Sequence, residues 1–229
     1  MIITYHIQTD NQISHRFDID LERASKSEAP EGSYPTWCQM ERNQCSHCPL
    51  KSPKHRYCPT AVDLNEIYIP FKNSASYTPT KVVVIAPERN YIKNTDLQSA
   101  LSTLSGLVMA TSACPILSSL HYLARYHVPF ATFEESIPRT AAYYLLKQYY
   151  KARQGENPDY ELKELKNYYT QLTILNEAFS KRIQEAVSED AGLNAMMNLF
   201  SLSSMVSFSI EESLSSFKDF FLKIPHPPD

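Results

Sequence analysis

Four glycines, Gly32, Gly106, Gly155 and Gly192, serve a chain of 229 residues. The usual share is ~7%, and no two of the four lie close together. Phosphate-cradling loops need clustered glycines, because tight turns and close backbone approach to an anion leave no room for a side chain. The scarcity therefore excludes a GxGxxG dinucleotide turn, a Walker A loop and a GxSxG nucleophile elbow. The length allows one domain or two small ones with ample core. At 43% apolar and 21% charged residues, the chain reads as globular. Its 22 basic and 25 acidic side chains leave a net charge of −3. That balance argues against a whole-domain basic field for nucleic acid.

The opening MIITYHIQTD has no basic stretch followed by a long apolar one, so no secretory signal is expected. The apolar run from Lys81 to Ala86 is too short to span a membrane. A soluble cytoplasmic protein is expected, and cysteines there are more often metal ligands or reactive thiols than disulfides.

Ile3, Tyr5 and Ile7 alternate with Thr4, His6 and Gln8. Residues 2–8 and 13–19 read as a hairpin joined by Thr9-Asp10-Asn11-Gln12. A polar loop follows over 24–36, then a short helix over 61–68. Strand-like pieces at Lys81–Ala86 and Asn90–Lys93 are broken by Pro87. The pattern then turns helical. Thr95-Asp96-Leu97-Gln98 reads as a capping box opening a helix to about Ala113. Pro115 suits the first turn of a helix to about His127. Thr132-Phe133-Glu134-Glu135 is a second capping box, with a helix to about Arg153 bent at Pro138. Asn157 and Pro158 read as the start of a long helix to about Val187. Its buried stripe is Leu165, Tyr168, Leu172, Leu175, Phe179 and Ile183. A last helical region spans 190–222.

Strands before helices point to an α+β fold. We expect a small antiparallel sheet and a four-cysteine metal-binding segment packed beside a bundle of about five helices. Residues 1–94 form the β-rich region, with the metal-binding segment at 37–59, and 95–223 the helical bundle, together one structural unit. The expected helical core uses Leu104, Leu107, Leu120, Leu145, Leu172, Phe179 and Phe200. The pairs Tyr143-Tyr144 and Tyr149-Tyr150 are expected to pack inward.

The strongest chemical signal is Cys38, Cys45, Cys48 and Cys58 within 21 residues. Two thiolates separated by two residues grip one ion from a single turn, and flanking cysteines close the tetrahedron. A polar segment that cannot build its own core gains folding free energy from such a site. Structural zinc is the first reading. An iron–sulfur cluster is the alternative, since Cys48 and Cys58 each precede proline. Unligated thiols or a disulfide pair are the plainer reading. His47 and His55 are substitute ligands. Arg42, Lys51, Lys54 and Arg56, with Trp37 and Tyr57 at the flanks, read as charge balance for thiolates, or else as a surface for phosphate or an acidic protein.

A second group runs from Cys114 to Arg139. Cys114 precedes Pro115 at an expected helix start, where thiolates are favoured. His121, His127, Glu135 and Arg139 complete a set able to run acid–base or nucleophilic chemistry if two helices pack antiparallel. The plainer reading has Cys114 as a buried small residue and Glu135–Arg139 as an i,i+4 ion pair.

The motifs Cys45-Ser46-His47-Cys48-Pro49-Leu50, Tyr57-Cys58-Pro59, Ser112-Ala113-Cys114-Pro115 and His127-Val128-Pro129-Phe130 resemble an uncharacterised bacterial family of unknown function. That family carries a four-cysteine segment and a helical C-terminal half. The resemblance covers most of the chain and implies no reaction. The expectation is a zinc-stabilised binding or regulatory protein that is not an enzyme. A protein partner is favoured over nucleic acid, and no membrane is involved. The alternatives are an enzyme or an iron–sulfur redox sensor using the Cys and His sites.

Overall fold

A computed structural model describes residues 1–9, 13–23, 33–185, 194–195, 212 and 214–223. Strands β1 (Ile2–Thr9) and β2 (Ser14–Asp20) form the expected hairpin, with Tyr5 opposite Phe17. Strands β3 (Pro79–Ile85) and β4 (Asn90–Asp96) form a second. All pairs are antiparallel, in the order β2-β1-β3-β4, with Tyr5 opposite Val84. Period-2 alternation turns Ile3, Tyr5, Ile7, Val82 and Val84 to one buried face. Ile85 and Ile92 fall on the other, exposed one.

Helix α1 (Pro59–Tyr68) follows the cysteine segment and starts two residues earlier than expected, because Pro59 takes the first helical position. Helix α2 (Leu97–Ala110) crosses the sheet's buried face, where Thr103 Oγ1 lies 3.4 Å from Tyr5 Oη. The residue that caps it is Asp96, whose carboxylate accepts from the Ser99 N–H at 2.8 Å, while Thr95 stays in β4. The helix ends at Ala110, short of Ala113, and the Thr111 hydroxyl bonds back to the Leu107 carbonyl at 2.9 Å.

The helix expected from Pro115 is broken into a 3-10 turn, Leu117–Leu120, and the short α3 (His121–Arg125). Helix α4 (Phe133–Arg153) has the full Thr132/Glu135 capping box and holds Pro138 internally. Helix α5 is Lys163–Gln184 and does not begin at Pro158. Asp159 caps it from a turn away, accepting from the N–H groups of Lys163 (3.2 Å) and Glu164 (2.8 Å). Gln148 and Tyr144 of α4 fix Asp159 in turn. The α5 stripe is buried as expected except at Tyr168, which is half-buried, while the neighbouring Tyr169 is buried instead. A further helical stretch covers 214–222, while most of 190–222, including Phe200, lies outside the described residues.

Leu104, Leu107, Leu172 and Phe179 are core, and Leu120 is half-buried. Leu145, Tyr149 and Tyr150 are exposed, contrary to expectation. In α4 the buried positions are Ser136, Ile137, Thr140, Ala141, Tyr144 and Gln148, a stripe that leaves Leu145 on the solvent edge. One apolar cluster runs through the sheet, the cysteine segment and the helices. Among the described residues no helix is long and apolar enough to cross a membrane.

Candidate functional site

Between Trp37 and Cys58 the only regular elements are the 3-10 turn Thr36–Cys38 and one bridge, Gln39 with Tyr57. The bridge is extended by Met40 N–H to Arg56 O and Cys58 N–H to Cys38 O, each 2.9 Å. This ladder sets Cys38 beside Cys58. Cys48 N–H closes onto Cys45 O at 3.0 Å, the tight turn that two-residue spacing requires. The segment is then clamped from α5. Arg182, 1% exposed, donates to the carbonyls of Trp37 (2.7 Å), Gln39 (2.8 Å) and Met40 (3.0 Å).

All five cysteines are free and buried. Burial pushes the thiols of Cys38 and Cys45 up to about 12 and that of Cys58 up to about 11. Neighbouring sulfurs add to this. Cys38 feels Cys58; Cys45 feels Cys58, Cys114 and Cys48; Cys58 feels Cys114 and Cys48; Cys114 feels Cys48. The guanidinium of Arg182 opposes the rise at Cys38, Cys45 and Cys58. Cys114, far away in sequence, is thus a neighbour of the segment. A hydrogen bond from Thr60 to Ser112, 2.8 Å between hydroxyl oxygens, ties the two regions just beside Cys58 and Cys114.

The thiols differ in what faces them. Cys38 Sγ donates to the Ala61 carbonyl at 3.5 Å. Burial raises Cys114, whereas the N–H groups of Leu117 and Ile116 and the Thr60 hydroxyl favour its thiolate. The Ala61 N–H does the same for Cys58. As the side chains stand, no group of three or more His, Cys, Asp or Glu among the described residues is disposed to hold a metal ion. Both ring nitrogens of His47 are buried without a hydrogen-bond partner, while His55 is half-buried. Trp37 and Tyr57 are core residues, so the alternative of an aromatic-edged surface does not form. Arg42, Lys51, Lys54 and Arg56 are exposed.

The second group separates. His127 and Arg139 line a cavity of about 350 Å³, and Cys114, His121 and Glu135 are not among its lining residues. His127 Nε2 is hydrogen-bonded to Tyr5 Oη. Burial first, then the Arg139 charge, lowers His127 to about 3, so the ring is neutral near pH 7. Glu135 does not pair with Arg139. Its carboxylate accepts from the Thr132 N–H at 2.8 Å, completing the capping box. Arg139 Nε and Nη1 are left buried without partners. A nucleophile–base pair of Cys114 and His127 is therefore not assembled around this cavity.

A family model described as a domain of unknown function, DUF6901, matches residues 2–222. The chain belongs to the DUF6901 family. No curated protein and no solved structure matches it. DUF6901 membership spans the sheet, the cysteine segment and the helices together.

Sequence reasoning missed three features. Arg182 carried no local signal. Proline following Cys114, as it follows Cys48 and Cys58, was the available hint that this thiol joins the others. Arg139 lost its expected partner because the helix start claimed Glu135 first.

Proposed function

We propose that this DUF6901 protein is a metal-stabilised binding protein of the cytoplasm, with zinc held by Cys45, Cys48, Cys58 and Cys114. What supports this reading is that all four thiols are buried and within electrostatic range of one another. Thiolates are the ligands zinc prefers, in closed tetrahedral sets. The spacing-based set contains Cys38 instead of Cys114. Cys38 is the weaker candidate because its thiol proton is engaged by a carbonyl oxygen, which repels a thiolate. Cys58 and Cys114 face N–H donors, the usual support for a ligating sulfur. The donor set suits the ion, and closure requires the thiols to turn about their Cα–Cβ bonds. Ligand deprotonation and folding are coupled in such sites. The ion then joins the cysteine segment to the turn that follows α2, leaving the exposed surface free for a protein partner. Proline after three of these cysteines favours an iron–sulfur cluster as the second reading.

Metal analysis of freshly purified, unchelated protein tests this. The expected result is a colourless sample with about one zinc per chain. Cys38→Ser keeps the metal, and Cys114→Ser and Cys48→Ser lose it. A brown, oxygen-sensitive sample moves the reading to the cluster. Metal lost in Cys38→Ser but kept in Cys114→Ser restores the spacing-based set. A metal-free wild type ends the metal reading altogether.

A further inference from the structure

The cavity between α2, α3, α4 and α5 has a charge pattern that the metal reading does not use. Among the described residues two cations line it, Arg139 and Lys93, and no Asp or Glu does. Its histidine is held neutral by burial. Arg139 sits on α4 with Nε and Nη1 both buried and both without a hydrogen-bond partner. Two buried donors left unpaired on a charged guanidinium are costly, and native structures rarely leave such donors idle. Glu135, the acidic group one turn away, is held by the helix start. The remaining walls are largely apolar, with Met109, Leu117, Leu120, Leu123, Val128 and Leu172 among them. Lys93 is exposed, with its ammonium 4.8 Å from the centre of the Phe130 ring.

We propose that this cavity binds a compact carboxylic acid with an apolar body, its carboxylate paired with the guanidinium of Arg139 in the cavity wall. The guanidinium fork matches a carboxylate in both geometry and charge. One buried cation neutralises one negative charge. A phosphate dianion would leave a second charge among apolar walls. The cavity, about 350 Å³, lies at the small end of the ~300–1,000 Å³ typical of ligand pockets, which restricts the apolar body to a short chain or single ring. The Tyr5–His127 hydrogen bond and the Phe130 N–H to Thr103 Oγ1 bond at 3.1 Å brace one wall, so the site is preformed. This inference gives the binding reading a ligand class and is independent of the metal.

Calorimetric titration of the full-length protein with octanoate tests it, using octanol and inorganic phosphate as comparison probes. We expect octanoate to bind one per chain, and octanol and phosphate at least tenfold more weakly. Arg139→Gln weakens octanoate at least tenfold and leaves octanol unchanged. Arg139→Lys falls between. Ala131→Phe, which keeps Arg139 but fills the cavity, also weakens octanoate, and circular dichroism checks that each variant is folded. Octanoate binding equally to wild type and folded Arg139→Gln overturns the proposal, as does octanol matching octanoate in the wild type. Phosphate competing as well as octanoate also overturns it. If Arg139→Gln does not fold, the octanol comparison and Ala131→Phe decide. Metal measured on the same sample separates the outcomes, since a metal-loaded protein that ignores octanoate refutes the cavity alone.

Discussion

Helix α5 and the cysteine segment lie against one another and are held in different ways. The helix buries Leu165, Leu172, Leu175, Phe179 and Ile183 along one face. Its order follows from periodic apolar burial, each side chain adding its own share. The segment has no such period. Its thiols and Trp37 are buried, but its backbone is fixed by a short ladder and by three carbonyls converging on Arg182. A failure in the helix is therefore local and graded. A failure in the segment removes several supports together.

Variants can break this contrast. The largest effect is expected from Arg182→Met, which leaves the buried carbonyls of Trp37 and Met40 without their donor, while Gln39 O keeps the Arg42 N–H at 3.2 Å. Each buried unsatisfied group costs ~1–3 kcal/mol, so urea denaturation should show a loss of about 2 kcal/mol or more. A loss under ~1 kcal/mol would mean that the clamp is dispensable. Leu175→Ala, at a fully buried position, should cost ~2–5 kcal/mol while residues 37–58 keep their resistance to protease.

The third prediction concerns pH and His127. Its folded value, about 3, lies below the ordinary 6.5. Between these values the unfolded chain binds the proton and the folded one does not. Stability from this group is full above 6.5 and is lost as pH falls toward 3, at up to ~1.4 kcal/mol per pH unit. Denaturation at pH 7 and pH 5 should show a wild-type loss that His127→Gln reduces by about 2 kcal/mol; equal losses would place the His127 value near normal. The smallest effect belongs to Leu145→Ala on the solvent edge of α4, where less than ~0.5 kcal/mol is expected. A loss above ~2 kcal/mol there would mean that the exposed edge is covered.

What the sequence revealed follows the same division. The hairpin, the α4 capping box and the α5 stripe were legible, because alternation, capping and three-to-four spacing act over a few residues. The start of α5 was not legible. Pro158 looks like a first helical residue, but Asp159 is fixed by Tyr144 and Gln148 of α4 and caps at Lys163 and Glu164 instead. Leu145 and Tyr144 are adjacent, and only packing decides which faces inward. In the candidate site the cysteine spacing was visible, while the nearness of Cys114 and the reach of Arg182 depend on the folded chain.

The Arg182 clamp also sets a clock on biosynthesis. Its donor lies 145 residues after Trp37, and chains grow at ~5–20 residues per second. The cysteine segment therefore leaves the ribosome roughly seven to thirty seconds before the side chain that fastens it. During that interval its thiols face the surrounding fluid. Whatever metal or oxidant reaches them first acts on an open chain, before the lock from α5 exists.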